Sequence, residues 1–116
     1  MPDPLIAAPG VPDPVVPYPF VRRVSHRLLG DMLRMTLSEA LHYDLTLEEG
    51  RTLSRAFTAV AHDWRRTDFL YLSPVGMDGD FSAAVHAEGV DVDTGAAAHR
   101  LSWDDVRELA ERLATE

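Results

Sequence analysis

Proline placement divides this chain in two. Seven of its eight prolines fall among the first nineteen residues: Pro2, Pro4, Pro9, Pro12, Pro14, Pro17 and Pro19. Each fixes φ and pushes the residue before it toward extended geometry, so polyproline II is the default conformation there. The same stretch carries Leu5, Ile6, Val11, Val15, Val16, Tyr18 and Phe20, with Asp3 and Asp13 as its only charged side chains. It contains an imperfect repeat, Pro2-Asp3-Pro4-Leu5-Ile6 returning as Pro12-Asp13-Pro14-Val15-Val16. Free tails are usually polar and charged, and this one is neither. Residues 1–20 are therefore expected to form an extended apolar arm that lies on its own domain, on a second copy or on another protein. Its contact residues would be Leu5, Ile6, Val15, Val16, Tyr18 and Phe20.

Residues 21–116 are expected to form one domain, the usual outcome for a chain of 116 residues. Cysteine is absent, which excludes disulfides, thiolate nucleophiles and Cys-bound zinc. No run approaches the roughly 20 apolar residues of a membrane span, and the N-terminus lacks the basic start and unbroken apolar run of a secretory signal. The expectation is a soluble, cytoplasmic protein with no membrane contact.

Charge is uneven. Residues 1–67 hold eight Arg and eight acids, whereas residues 68–116 hold three Arg and eleven acids, so the net charge of −8 belongs to the C-terminal part. That balance opposes wholesale binding to nucleic acid. The arginines of the first half still merit a reading. Arg22, Arg23 and Arg27, followed by Arg51 and Arg55, could meet phosphates or an acidic surface if one face gathered them; a solvated face balanced by local acids is the stronger reading.

From Val21 to Tyr43 the spacing predicts a helix. Val24, Leu28, Met32 and Met35 form one stripe, and Leu29, Leu33, Leu37 and Leu41 form a second beside it. Arg27, Asp31 and Arg34 are spaced for helical ion pairs. Two adjacent stripes make a face wider than one neighbour needs, so either several elements cover it or part of it is an interface. Gly30 costs such a helix about 1 kcal/mol relative to Ala. Thr46 and Glu49 make a capping box that starts a second helix, expected to run to about Thr67 with Leu53, Phe57, Val60 and Trp64 inward. The two would fold into a helical hairpin.

Strands follow. Phe69-Leu70-Tyr71-Leu72 is a short apolar run ended by Ser73-Pro74. Phe81, Ala83, Val85 and Ala87 alternate with polar or small partners, Val90 and Val92 continue the pattern, and 96–101 would return as a further strand. Ser102 caps a last helix with Asp104 and Asp105 in its first turn and Val106, Leu109, Ala110 and Leu113 as a narrow seam. The predicted fold is α+β: a helical hairpin, a small antiparallel β-meander and a C-terminal helix in two layers, preceded by the arm.

Chemistry is sparse. Asp91-Val92-Asp93-Thr94-Gly95 departs from a calcium loop, with Gly95 one position early and Ser102 where the bidentate acid belongs; it reads as an acidic turn, as does Met77-Asp78-Gly79-Asp80. His86 would face Asp91 across a hairpin, and His99 beside them would complete a weakly supported metal trio. No Gly-x-Ser-x-Gly elbow, phosphate-cradling glycine loop or His-Glu-x-x-His pattern is present. No metal or cofactor is expected. The reading is a small non-catalytic interaction or assembly protein, a homodimer or the companion of a protein partner. The alternatives are a nucleic-acid-associated regulator using the Arg-bearing helices and a small enzyme with a His/Asp acid–base site.

Overall fold

Strands, not a helix, occupy residues 20–46. A computed structural model describes residues 18–116, in the order β1 (Phe20–His26), β2 (Gly30–Ser38), β3 (Leu41–Thr46), α1 (Leu47–His62), a 3₁₀ turn (Trp64–Arg66), β4 (Phe69–Leu72), β5 (Phe81–His86), β6 (Gly89–Asp93), β7 (Ala98–Ser102) and α2 (Trp103–Thr115). The class is α+β, with antiparallel sheets ordered β1-β2-β3 and β4-β5-β6-β7. Of the expected arm contacts, Leu5, Ile6, Val15 and Val16 lie outside the described residues. Tyr18 and Phe20 are described, with ring centroids 5.7 Å apart.

The predicted helical hairpin, and with it the wide apolar face of a first helix, is corrected by this order. The stripes 29-33-37 and 28-32-35 were compatible with a helix, but in β2 Leu33, Met35 and Leu37 are buried at a period of two, and Met32 is buried separately, against Gly76. Arg34, Thr36 and Ser38 between them are half-buried. Gly30, read as a costly helix residue, has φ +80° at the start of β2, where the β1–β2 hairpin turns. The predicted helical ion pairs are replaced by cross-strand ones. Arg34 is bidentate to Asp44 at 2.8 and 3.1 Å, and Arg23 stands 3.4 Å from Asp31. Leu and Met favour helix locally, but pairing along β1 and β3 and burial against α1 override that preference.

Both helices start where strands end, through the same chemistry. Thr46 accepts from the Glu49 N–H while Glu49 accepts from the Thr46 N–H, and Ser102 and Asp105 repeat the exchange. The resemblance extends along the chain at one constant offset, from Leu45-Thr46-Leu47-Glu48-Glu49 to Leu101-Ser102-Trp103-Asp104-Asp105. Ser54 and Ala110 occupy corresponding positions, and there the helices meet: the Ser54 hydroxyl donates to the Ala110 carbonyl at 2.6 Å. The two strand–cap–helix units thus touch through corresponding positions where their helices cross. α1 ends at His62, short of the expected Thr67, because Asp63 takes an extended conformation and then caps the 3₁₀ turn.

One core serves both sheets. Leu33, Met35, Tyr43 and Leu45 from the first sheet meet Leu53, Phe57 and Val60 of α1, Phe81, Val90, Val92 and Leu101 of the second sheet, and Val106, Leu109 and Leu113 of α2. Phe81 is its aromatic hinge, packed edge-on to Tyr43 at 5.2 Å and to Phe57 at 6.0 Å. Among the described residues, no helix is long and apolar enough to cross a membrane.

Candidate functional site

The second sheet has an inner face that fills the core and an outer face that does not. Phe81, Ala83, Val85, Val90, Val92 and Leu101 point inward and are buried. Side chains alternate along a strand, so their neighbours in sequence stand on the other face. The register aligns these neighbours in rows: Phe69 beside Ala84, then Asp91, then Arg100; Tyr71 beside Ser82. Phe69 is 52% exposed and Tyr71 is 60% exposed. Both sit on β4, an edge strand, next to the small side chains of Ala84 and Ser82. The Tyr71 hydroxyl donates to Asp80 at 2.9 Å, and Ser73 donates to the same carboxylate at 2.9 Å. The Asp80 bond pushes the Tyr71 hydroxyl up from its ordinary pKa. This pair of bonds is what the Met77–Asp80 turn does with its acid.

The other end of the face is polar. Asp91 is paired to Arg100, with one guanidinium nitrogen at 3.5 Å and Nε closer. The hydrogen bonds from Arg100 first, and the nearby His86 ring second, hold the Asp91 carboxyl below the usual carboxylate range. His86 Nε2 lies 3.1 Å from Asp91, but not in line for a hydrogen bond. Its Nδ1 accepts the Glu88 N–H at 3.1 Å, which puts the neutral ring's proton on Nε2, toward the carboxylate. A His/Asp couple acts as a base only if its second nitrogen faces a reacting group; here that nitrogen is tied to the hairpin backbone. The contact is also diagonal, since His86 pairs with Gly89 and Asp91 with Ala84. His99 pairs with Val92, which sets it on the opposite face from Asp91 and Arg100. The trio of His86, His99 and Asp91 therefore does not assemble. No group of three His, Asp or Glu with metal-holding geometry exists among the described residues. The Asp93 carboxylate accepts the Gly95 N–H at 2.8 Å, closing its own turn.

The arginines singled out in the sequence are not gathered on one helical face. Arg22 and Arg23 belong to β1, where alternation sends them to opposite sides, and Arg27 lies in the β1–β2 turn. Arg51 and Arg55 are exposed on α1. Arg23 and Arg51 do line a common cleft of about 200 Å³ at the end of α2. Arg23 donates there to the Glu116 carbonyl, so its charge answers the negative end of a helix dipole.

Two further features bear on contact with other molecules. Leu28, 87% exposed, and Val75, 69% exposed, are further exposed apolar side chains, and Leu29 approaches Gly76 next to Val75. A shallow groove of about 610 Å³ runs between the helices over Ser54, Thr58, Ala110 and Ala114; the Ser54 hydroxyl in it is already used by the helix crossing. Sequence reading missed Phe69 and Tyr71 as surface residues. Their shared parity in the Phe-Leu-Tyr-Leu run signals that they lie on one face, though not which face it is.

The Arg34–Asp44 pair on the first sheet makes a pH prediction. Both side chains are half-buried, and the Arg34 bond holds the Asp44 carboxyl below its ordinary value. A depressed carboxylate contributes stability above its unfolded pKa of about 3.9 and loses it as pH falls through the lower folded value. Asp44→Asn should cost about 1–2 kcal/mol in urea unfolding at pH 7. The gap to the parent chain should narrow progressively below about pH 4. An equal gap at pH 7 and at pH 2.5 would assign the loss to packing instead.

No family model, no curated protein and no solved structure gives a significant match to the chain.

Proposed function

We propose that this chain works by contact, as a small interaction or assembly module, and that it does so from the cytoplasm. The observation that carries the reading is the pair Phe69 and Tyr71, more than half exposed on the outer face of an edge strand. Aromatic side chains bury roughly 150–250 Å², so covering the exposed halves of both is worth about 2–3 kcal/mol each before ordering costs. The apolar arm supports the same reading from its composition. Leu5, Ile6, Val15 and Val16 add burial, and proline lowers the entropy lost on docking. The dispersal of Arg22, Arg23, Arg27, Arg51 and Arg55 and the net charge of −8 favour this reading over a nucleic-acid regulator. The engaged Nδ1 of His86 favours it over acid–base catalysis.

Photo-cross-linking tests the proposal. A benzophenone amino acid is placed in the full chain at Tyr18, at Tyr71 and, as a control, at exposed Ala96 of the acidic turn. Protein adducts are expected at positions 18 and 71 and not at 96, either with the purified chain or in extract of the source cells. Absence of adducts at both aromatic positions in both settings would end the reading.

A further inference from the structure

We infer that the edge of β4 is occupied by a second copy of this chain, paired antiparallel about a two-fold axis through Leu70. The inference rests on the contact reading above and names its partner. It begins with backbone parity. The Asp68 carbonyl accepts the Val85 N–H at 3.0 Å, and the register continues as Leu70 to Ala83 and Leu72 to Phe81. In an antiparallel pair, alternate residues exchange both hydrogen bonds with the partner strand. Asp68, Leu70 and Leu72 therefore bond to β5, while the N–H and C=O groups of Phe69 and Tyr71 point to the open edge. Among the described residues, the Thr67 hydroxyl meets the Phe69 carbonyl at 3.2 Å, and neither N–H has a partner.

A two-fold through Leu70 sets Phe69 opposite the second copy's Tyr71, and Tyr71 opposite its Phe69. Both pairs consist of residues whose backbone groups face the edge, so each exchanges two main-chain bonds. The same register keeps every side chain on its own face. The four aromatic rings form a two-by-two cluster on the outer surface, and the two Leu70 side chains meet on the core side. A slip of one residue would pair leucines with aromatics across the sheet. A two-fold through Tyr71 would set Phe69 against Ser73 and leave its ring without an aromatic partner.

The flanks agree in charge. Exposed Arg65 and Arg66 precede the strand with exposed Asp68 between them and Phe69, leaving that flank net positive, and exposed Asp78 and Asp80 follow it. Antiparallel pairing brings the basic flank of each copy to the acidic flank of the other, which sets orientation and favours encounter. The strand itself carries none of the usual edge protection: Phe69–Leu72 contains no charge and no proline, and its register runs without a bulge. A proline-rich segment is a poorer occupant, because each proline lacks the donor that a ladder requires.

Sedimentation of the full chain from about 1 to 200 µM, spanning the weak-to-moderate affinities of small interfaces, reads the outcome. The expected result is a concentration-dependent species of twice the 12.9 kDa chain mass. The double variant Phe69→Lys/Tyr71→Lys should weaken association at least ~10-fold by placing charges in the aromatic cluster. Its circular dichroism should be unchanged, as should its melting at concentrations where the parent is monomeric. Leu28→Lys, at an exposed apolar side chain of the β1–β2 turn, should dimerise as the parent does. Amide exchange adds a signature: the Phe69 and Tyr71 N–H groups slow only when the dimer forms, while those of Leu70 and Leu72 are slow throughout. A monomer at 200 µM overturns the inference. So does a dimer that the lysines leave intact, or one in which the Phe69 and Tyr71 amides exchange freely. Either result, combined with cross-links from Tyr71 to a protein of different mass, would reject the second copy while keeping the contact reading.

Discussion

Alanine at position 89 should prevent β6 from pairing with β7. Gly89 has φ +146°, a conformation that L side chains rarely adopt. A Cβ there would lie 2.0 Å from the Leu101 carbonyl oxygen, which is backbone and cannot swing aside. Gly89 also faces Ser102 in the register, and Ser102 caps α2. The displaced strand would pull the cap out of reach of the Asp105 N–H, so the damage spreads from hairpin to helix. The expected loss is more than ~3 kcal/mol, the range of strained-backbone and core-disrupting substitutions. Urea unfolding followed by helical ellipticity measures it. A variant within about 1 kcal/mol of the parent, the centre of the ordinary mutational range, would mean that β6 and β7 can separate at little cost.

Phe81→Ala should cost about 3–5 kcal/mol. The ring is fully buried and touches Tyr43 of β3 and Phe57 of α1 from its place on β5, so it joins both sheets and the first helix. Its removal leaves a cavity that strands held by ladders cannot collapse to fill. Chemical denaturation gives the magnitude. Phe57→Ala should be similarly costly, and the double variant should lose less than the two single losses together, because one cavity is shared. Phe69→Ala is the contrast. The same residue type on the outer face should change stability by no more than about 0.5 kcal/mol at concentrations where the chain is monomeric. Comparable losses at 69 and 81 would show that β4 is covered in the free chain.

The contrast between Phe69 and Phe81 shows where sequence reading reached. Alternation over Phe81, Ala83 and Val85, and again over Val90 and Val92, identified buried side chains, because one face of those strands is covered and the other is wet. Ala87, read as inward, is exposed at the hairpin turn. The run 69–72 alternates two kinds of apolar residue, so polarity could not say which parity faces the core. His86 and Asp91 were read as neighbours and are in contact, yet the pairing frame differs from the one expected and removes His99 from the group. The arm residues Leu5, Ile6, Val15 and Val16 stand outside the described structure, so their part in any contact rests on composition.

Local chemistry alone determined the beginnings of both helices. A hydroxyl followed three residues later by an acid satisfies its own N–H groups whatever the rest of the chain does, so Thr46 and Ser102 were legible without a fold. Residues 21–43 were not. Leucine and methionine at those positions suit a helix by propensity and by spacing, and a strand can gain its main-chain bonds only from another strand. The partners of β2 lie on either side of it in the chain, and its buried face is defined by α1 and by the second sheet. That choice was made by tertiary structure, as was the open edge of β4. A backbone group is free or satisfied only relative to neighbours, and neighbours in space are what a linear string of residues does not contain.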